Sequence, residues 1–203
     1  SQLFVSLNPV DNNEKDSLFS NYSFNYTDWF GDNINVWKKY LSNLSNFNYL
    51  EIGTFEGRSA VYIGQFKNCN KIFCIDTFKG SDEHKEIDFS RVYENCKKNL
   101  NKIRKPVELL KSDSDSFFLN NKKKFNVIYI DGSHFYEDVK KDFDNSIKCL
   151  EKNGILICDD FLWFEYKNKK DNPLIAILES FYKYKDNLNI IFINYQIIFK
   201  KKS

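Results

Sequence analysis

From residue 48 onward, apolar runs of four to six residues alternate with amphipathic stretches of 10 to 15. That rhythm restricts the chain to repeated strand and helix units on a largely parallel sheet, because near-continuous apolar strands need helices over both faces. Strands are expected at NYLEI (48–52), KIFCID (71–76), VELL (107–110), NVIYID (126–131) and GILICDD (154–160), with helices over 59–66, 88–101 and 136–150 between them. The last stretch breaks the rhythm. A helix over 174–184 leads into LNIIFI and QIIFK, which only Asn194 and Tyr195 separate, and two strands so close pair as an antiparallel hairpin. The expectation is an α/β, doubly wound, mostly parallel seven-stranded sheet of Rossmann-like type, finished by an antiparallel C-terminal hairpin strand. Ahead of it, Trp37, Tyr40, Leu41 and Leu44 share one helical face in an aromatic, Asn-rich segment. Residues 1–47 are read as a helical cover or lid, and residues 48–203 as the ligand-binding domain.

Charge and composition exclude several partners. Thirty Lys and Arg residues stand against 28 Asp and Glu, interspersed, for a formal net charge of +2, so no basic face large enough to track nucleic acid is present. No run approaches the ~18 uninterrupted apolar residues of a membrane span, and no charged-then-apolar signal opens the chain. The five cysteines are odd in number and never in Cys-x-x-Cys spacing, which points to a reducing, cytoplasmic compartment. The chain lacks methionine altogether, which reads as a domain cut from a longer polypeptide; a homo-oligomer is an open alternative.

YLEIGTFEGRSAVY, residues 49–62, places two of only seven glycines four positions apart behind an apolar run that carries a carboxylate. Ligands of open parallel sheets bind outside the carboxyl ends of the strands. Gly53 and Gly57 let the backbone turn there without a Cβ in the way, and a helix starting near Gly57 aims its N–H groups at the same place. Asp76 ends the second strand, 23 positions after Gly53, where a carboxylate can accept from ribose hydroxyls. A dinucleotide loop would need Gly-x-Gly-x-x-Gly around a pyrophosphate. Here Thr54 and Phe55 fill the middle, and Glu51 adds a negative charge that repels phosphate and welcomes an ammonium group. S-adenosylmethionine carries an ammonium, a sulfonium and a ribose, and no phosphate.

These features resemble the class I S-adenosylmethionine-dependent methyltransferases. More narrowly, DWF (28–30), VWKKYL (36–41), YLEIGTFEGRSA, IDTFKG, YIDGSH and LICDDFLW are similar to the branch containing the metal-dependent macrolide-sugar O-methyltransferases. The resemblance implies that Glu51, Gly53, Gly57 and Ser59 line the methionine end of the cofactor, Asp76 its ribose, and Asp113 with Ser114 its adenine edge. KSDSDS offers a second register for that last pair. Thr54, Thr77 and Asp131 complete the implied cofactor-binding set.

Asp131 closes the fourth strand, and Asp159 with Asp160 the fifth, so three carboxylates converge where neighbouring parallel strands end roughly 5 to 10 Å apart. Such charges raise one another's pKa values unless a cation compensates, and an all-oxygen cluster suits Mg²⁺ best, then Mn²⁺ or Ca²⁺. His134, three positions after Asp131 in the DGSH turn, is placed to take a proton from an acceptor hydroxyl. The resembling sugar methyltransferases carry their proposed base at this position. Some relatives place an aspartate two residues after the metal aspartate, where this chain has Ser133. His84, the other histidine, is assigned no chemistry. The resulting expectation is a Mg²⁺-dependent O-methyltransferase acting on a hydroxyl of a sugar, a nucleotide-sugar or a glycosylated small molecule. A catechol-type phenol is the alternative acceptor, and a non-catalytic domain of the same fold is the alternative class.

Overall fold

The computed structural model describes residues 10–80 and 86–203, which leaves His84 outside the described residues. Seven strands, β1 (Phe47–Ile52), β2 (Cys69–Asp76), β3 (Val107–Lys111), β4 (Phe125–Ile130), β5 (Leu150–Cys158), β6 (Leu188–Ile193) and β7 (Ile197–Lys201), form one sheet in the order β3-β2-β1-β4-β5-β7-β6. Pairing is parallel from β3 through β5 and antiparallel where β7 meets β5 and β6. The expected hairpin forms. Its second strand slots between β5 and β6, an insertion that the short connection alone does not announce.

Helices cover both faces. Around α1 (Asn12–Phe19), α2 (Ile34–Leu41), α3 (Arg58–Gly64) and α4 (Phe89–Leu100) one core layer gathers Trp37, Leu41, Tyr49, Val61, Cys96 and Tyr129. The opposite layer lies under α5 (Ser114–Asn120), α6 (Tyr136–Cys149) and α7 (Pro173–Tyr184), with Leu50, Ile128, Phe143, Ala176 and Phe199 at its centre. Strand alternation sorts them: Tyr49 and Glu51 face the first layer, Leu50 and Ile52 the second. Trp37 and Leu41 are fully buried, and the Trp37 ring packs 4.8 Å from Tyr129 and 6.1 Å from Tyr49. The helix before residue 48 is thus a wall of the first core layer. All five cysteines are buried free thiols.

Two elements depart from the sequence expectation. α5 follows β3 immediately, capped by Asp113, whose side chain accepts the Ser116 N–H at 2.7 Å. β5 begins at Leu150 and pairs with β4 through a register shift, with Asn153 in the left-handed region at φ 61°.

Candidate functional site

The parallel register delivers the site. Ile52 pairs with Ile75 and Ile130, and Ile130 with Cys158, so Gly53, Asp131 and Asp159 leave the sheet side by side. Backbone bonds carry the ladder one step further: Gly53 N–H to the Ile75 carbonyl, Asp131 N–H to that of Ile52, and Asp159 N–H to that of Ile130. A Cβ at Gly53, whose φ is +84°, would sit 1.8 Å from the Asp131 carbonyl oxygen, so this position tolerates only glycine.

Glu51 is fully buried beneath the loop. Its Oε2 accepts from the hydroxyls of Tyr49 and Ser59, each at 2.6 Å. Neither its Oε1 nor the buried Thr54 hydroxyl has a partner in good hydrogen-bond geometry, although that hydroxyl stands close enough to help lower the Glu51 pKa. Burial raises the Glu51 pKa to about 7 against the hydrogen bonds that lower it. A buried carboxylate oxygen without a well-placed partner at the mouth of a glycine turn fits a ligand ammonium, which would meet both its hydrogen-bonding need and its charge.

Asp76 is engaged with its own loop. One oxygen accepts from the N–H groups of Thr54 and Phe55, both at 2.8 Å, and the other from Phe78 N–H at 2.7 Å. A carboxylate offers about four acceptor positions, so one remains for a ribose hydroxyl. Thr77 is partly buried next to it and accepts from Lys79 N–H at 3.3 Å. Asp113 is exposed at its cap, and Ser114 opens α5 partly buried beyond β3. Gly57, also left-handed at φ +81°, starts α3.

At the other end of the edge, Asp131 and Asp159 both receive the Tyr129 hydroxyl. Gln196 Nε2 donates to Asp159 Oδ2 at 2.8 Å, and Trp37 Nε1 donates to Gln196 Oε1 at 2.9 Å. Asp160, left-handed at φ 53°, lies 2.9 Å from His134 Nε2. The His134 ring packs tilted against Trp163, with 4.6 Å between ring centres and 53° between planes. Burial, then the charges of Asp159 and Asp160, push the Asp131 carboxyl well above the usual range, and burial with Asp160 lifts Asp159 to about 6. Asp131, Ser133, His134, Asp159 and Asp160 line one small cleft.

Among the described residues, no three His, Cys, Asp or Glu side chains are gathered round a point that would hold a cation. The donor chemistry fits one nonetheless: three neighbouring carboxylates, two of them with pKa values raised by burial and then by the others' charge, form an all-oxygen set that a hard divalent ion would relieve. Asp160 would offer it Oδ1 while Oδ2 keeps its contact with His134 Nε2.

Sequence reasoning passed over Tyr129, Gln196, Trp163 and Glu56. Tyr129 had a usable signal, since it lies two positions before Asp131 on the same strand face. Glu56, 3% exposed, accepts from Asn25 N–H, Tyr26 N–H and Asn95 Nδ2, and so fastens the segment before α2 to the glycine loop and α4.

A family model described as a methyltransferase domain matches residues 50–161, more than half the chain, from mid-β1 through the carboxylate pair. This chain belongs to that methyltransferase family. An uncharacterized protein of Acanthamoeba polyphaga mimivirus is 28% identical over 170 residues, covering 74% of this chain and 72% of its own length. The O-methyltransferase TomG of Streptomyces achromogenes, solved with S-adenosylmethionine, superposes with a TM-score of 0.66 at 11% identity over 98% of this chain and 93% of its own. MycE, from the mycinamycin biosynthetic pathway and solved with Mg and S-adenosylhomocysteine, gives 0.60 at 17% identity, 92% of this chain and 54% of MycE. At these identities the two structures establish a shared fold. The methyltransferase is S-adenosylmethionine-dependent by family, and no helix among its described residues is long and apolar enough to cross a membrane.

Proposed function

We propose that this methyltransferase moves a methyl group onto a hydroxyl oxygen, with a divalent cation, Mg²⁺ first, at Asp131, Asp159 and Asp160. The acceptor we favour is a sugar hydroxyl, free, nucleotide-linked or on a glycosylated small molecule. The observation that carries the reading is one sheet edge on which a buried Glu51 oxygen without a well-placed partner stands beside three neighbouring carboxylates and His134. Glu51 would hold the cofactor's ammonium; Gly53, Thr54, Gly57 and Ser59 would surround its methionine end, Asp76 and Thr77 its ribose, and Asp113 with Ser114 its adenine. When bound, the cofactor supplies a methyl group activated by positive sulfur, and the cation a Lewis acid that makes an acceptor hydroxyl easier to ionise. His134 takes the acceptor's proton, and Asp160, 2.9 Å from its Nε2, orients the ring and stabilises the imidazolium that results. We read the described residues 10–47 as a cover and residues 48–203 as the catalytic unit; residues 1–9 lie outside the described residues. A catechol-type acceptor is the second reading, favoured by the rings of Trp163, 4.6 Å from His134, and Tyr166, 4.8 Å from Trp163.

Methyl transfer to a panel of nucleotide-sugars, glycosides and phenols, followed by mass spectrometry, tests this. Chelation should abolish turnover and Mg²⁺ restore it. His134→Ala should lower turnover by roughly 10²- to 10⁴-fold with S-adenosylhomocysteine affinity unchanged. Full activity in chelator removes the cation from the mechanism, and parallel loss of cofactor binding in the variant reduces His134 to a structural residue.

A further inference from the structure

A chain of hydrogen bonds runs behind the carboxylates, from the segment before β1 to the end of β5. Trp37 is fully buried and Gln196 is 1% exposed, so neither exchanges its partner for water. An indole nitrogen can only donate. Because Trp37 Nε1 donates to Gln196 Oε1 at 2.9 Å, the Gln196 amide cannot flip without placing two donors face to face, and its NH₂ is forced toward Asp159 Oδ2 at 2.8 Å. The Tyr129 hydroxyl has one hydrogen and two carboxylates within reach.

Asp159 is therefore gripped at both oxygens. Oδ2 meets Gln196 and Tyr129, and Oδ1 accepts the N–H of Asp160 at 2.9 Å. Four acceptor positions less these three leave one, on Oδ1, in a carboxylate whose plane can no longer turn.

We infer that Gln196, locked by Trp37, is the positioning residue that aims Asp159 at the cation site. The inference rests on the cation reading given above and deepens it: the helix ahead of the sheet reaches the candidate metal ligands through one amide. Outer groups of this kind typically change metal affinity by about 10- to 100-fold. Gln196→Leu removes both amide bonds at similar volume. Trp37→Phe keeps an aromatic ring but removes the N–H together with part of the indole, so the amide is freed to flip.

Mn²⁺ affinity, read by electron paramagnetic resonance or calorimetry in the presence of S-adenosylhomocysteine, tests the inference, with circular dichroism reporting the fold. The expected result is a weakening of about 10- to 100-fold for Gln196→Leu and a smaller one, about 3- to 10-fold, for Trp37→Phe, with S-adenosylhomocysteine affinity within about twofold of wild type. If Gln196→Leu fails to fold, Trp37→Phe decides alone. Wild-type Mn²⁺ affinity in the folded variants overturns the inference, as does a matching fall in S-adenosylhomocysteine affinity, which would mark general damage. Absence of Mn²⁺ binding by the wild-type chain overturns the cation reading and the inference with it.

Discussion

Glu51 has an ionisation that the site can use. Its folded pKa, about 7, stands above the ordinary 4.5 because burial outweighs the hydroxyls of Ser59, Tyr49 and Thr54 that favour the carboxylate. The folded chain therefore binds this proton more tightly than the unfolded chain, so Glu51 favours folding at low pH and that contribution is lost as pH rises through about 7. An ammonium ligand needs the carboxylate, so binding expels the proton. Affinity for S-adenosylhomocysteine should rise about tenfold per pH unit up to about 7 and then level off, and Glu51→Gln should flatten the profile and weaken binding at high pH by about 1.5 to 3 kcal/mol. Calorimetry across that range decides; a flat wild-type profile would detach Glu51 from the ammonium. At this scale the sequence carried position better than orientation. Asp76 was located from the end of an apolar run, but a strand-end carboxylate looks the same whether it faces a ligand or three N–H groups of its own loop. Gln196 was hidden because a polar residue opening a strand carries no sign of what meets it across the sheet.

Among the elements, the segment before α2 depends on one side chain. Glu56 receives N–H groups from Asn25 and Tyr26 and the Asn95 amide in a nearly dry setting, and Asn99 adds bonds to Ser23 on both its N–H and carbonyl. Glu56→Ala would take this acceptor from the buried Asn95 amide and from the part-buried N–H groups of Asn25 and Tyr26, at about 1 to 3 kcal/mol for each buried donor left unsatisfied. Hydrogen exchange should show residues 23–26 opening far faster in the variant while amides of β1 and β4 keep their protection; uniform exchange in both proteins would mean the segment is held elsewhere. Strands β1 to β5 were readable because burial on both faces writes continuous apolar runs. α5 was not: seven residues beginning Ser-Asp-Ser, none of them buried, carry too little periodicity to register. The place of β7 was hidden for another reason. A short connection specifies that β6 and β7 pair, and leaves open which of them lies against β5.

Across the whole molecule charge is close to balanced, at +2, yet the carboxyl edge of the sheet concentrates Glu51, Asp131, Asp159 and Asp160 in low-dielectric surroundings. Such a site opposes the fold that carries it. Asp131 has its carboxyl pushed well above 3.8 by burial first and by Asp159 and Asp160 next, so its ionisation above that value is unfavourable in the folded chain and harmless in the unfolded one. Asp131→Asn keeps an oxygen to accept the Tyr129 hydroxyl and removes the charge. In chelator the variant should be more stable than wild type by about 1 to 3 kcal/mol, roughly 2 to 4 °C in Tm for each kcal/mol in a chain of this size. The gain should be larger at pH 8 than at pH 5, since only the ionised carboxylate is penalised. Excess Mg²⁺ should narrow the gap by stabilising the wild type alone, and methyl transfer by the variant should be lost throughout. Thermal unfolding of both proteins, with and without chelator at the two pH values, measures each part. An Asp131→Asn protein that melts below wild type in chelator would mean that the carboxylates support the fold, and that their crowding needs no cation to explain it.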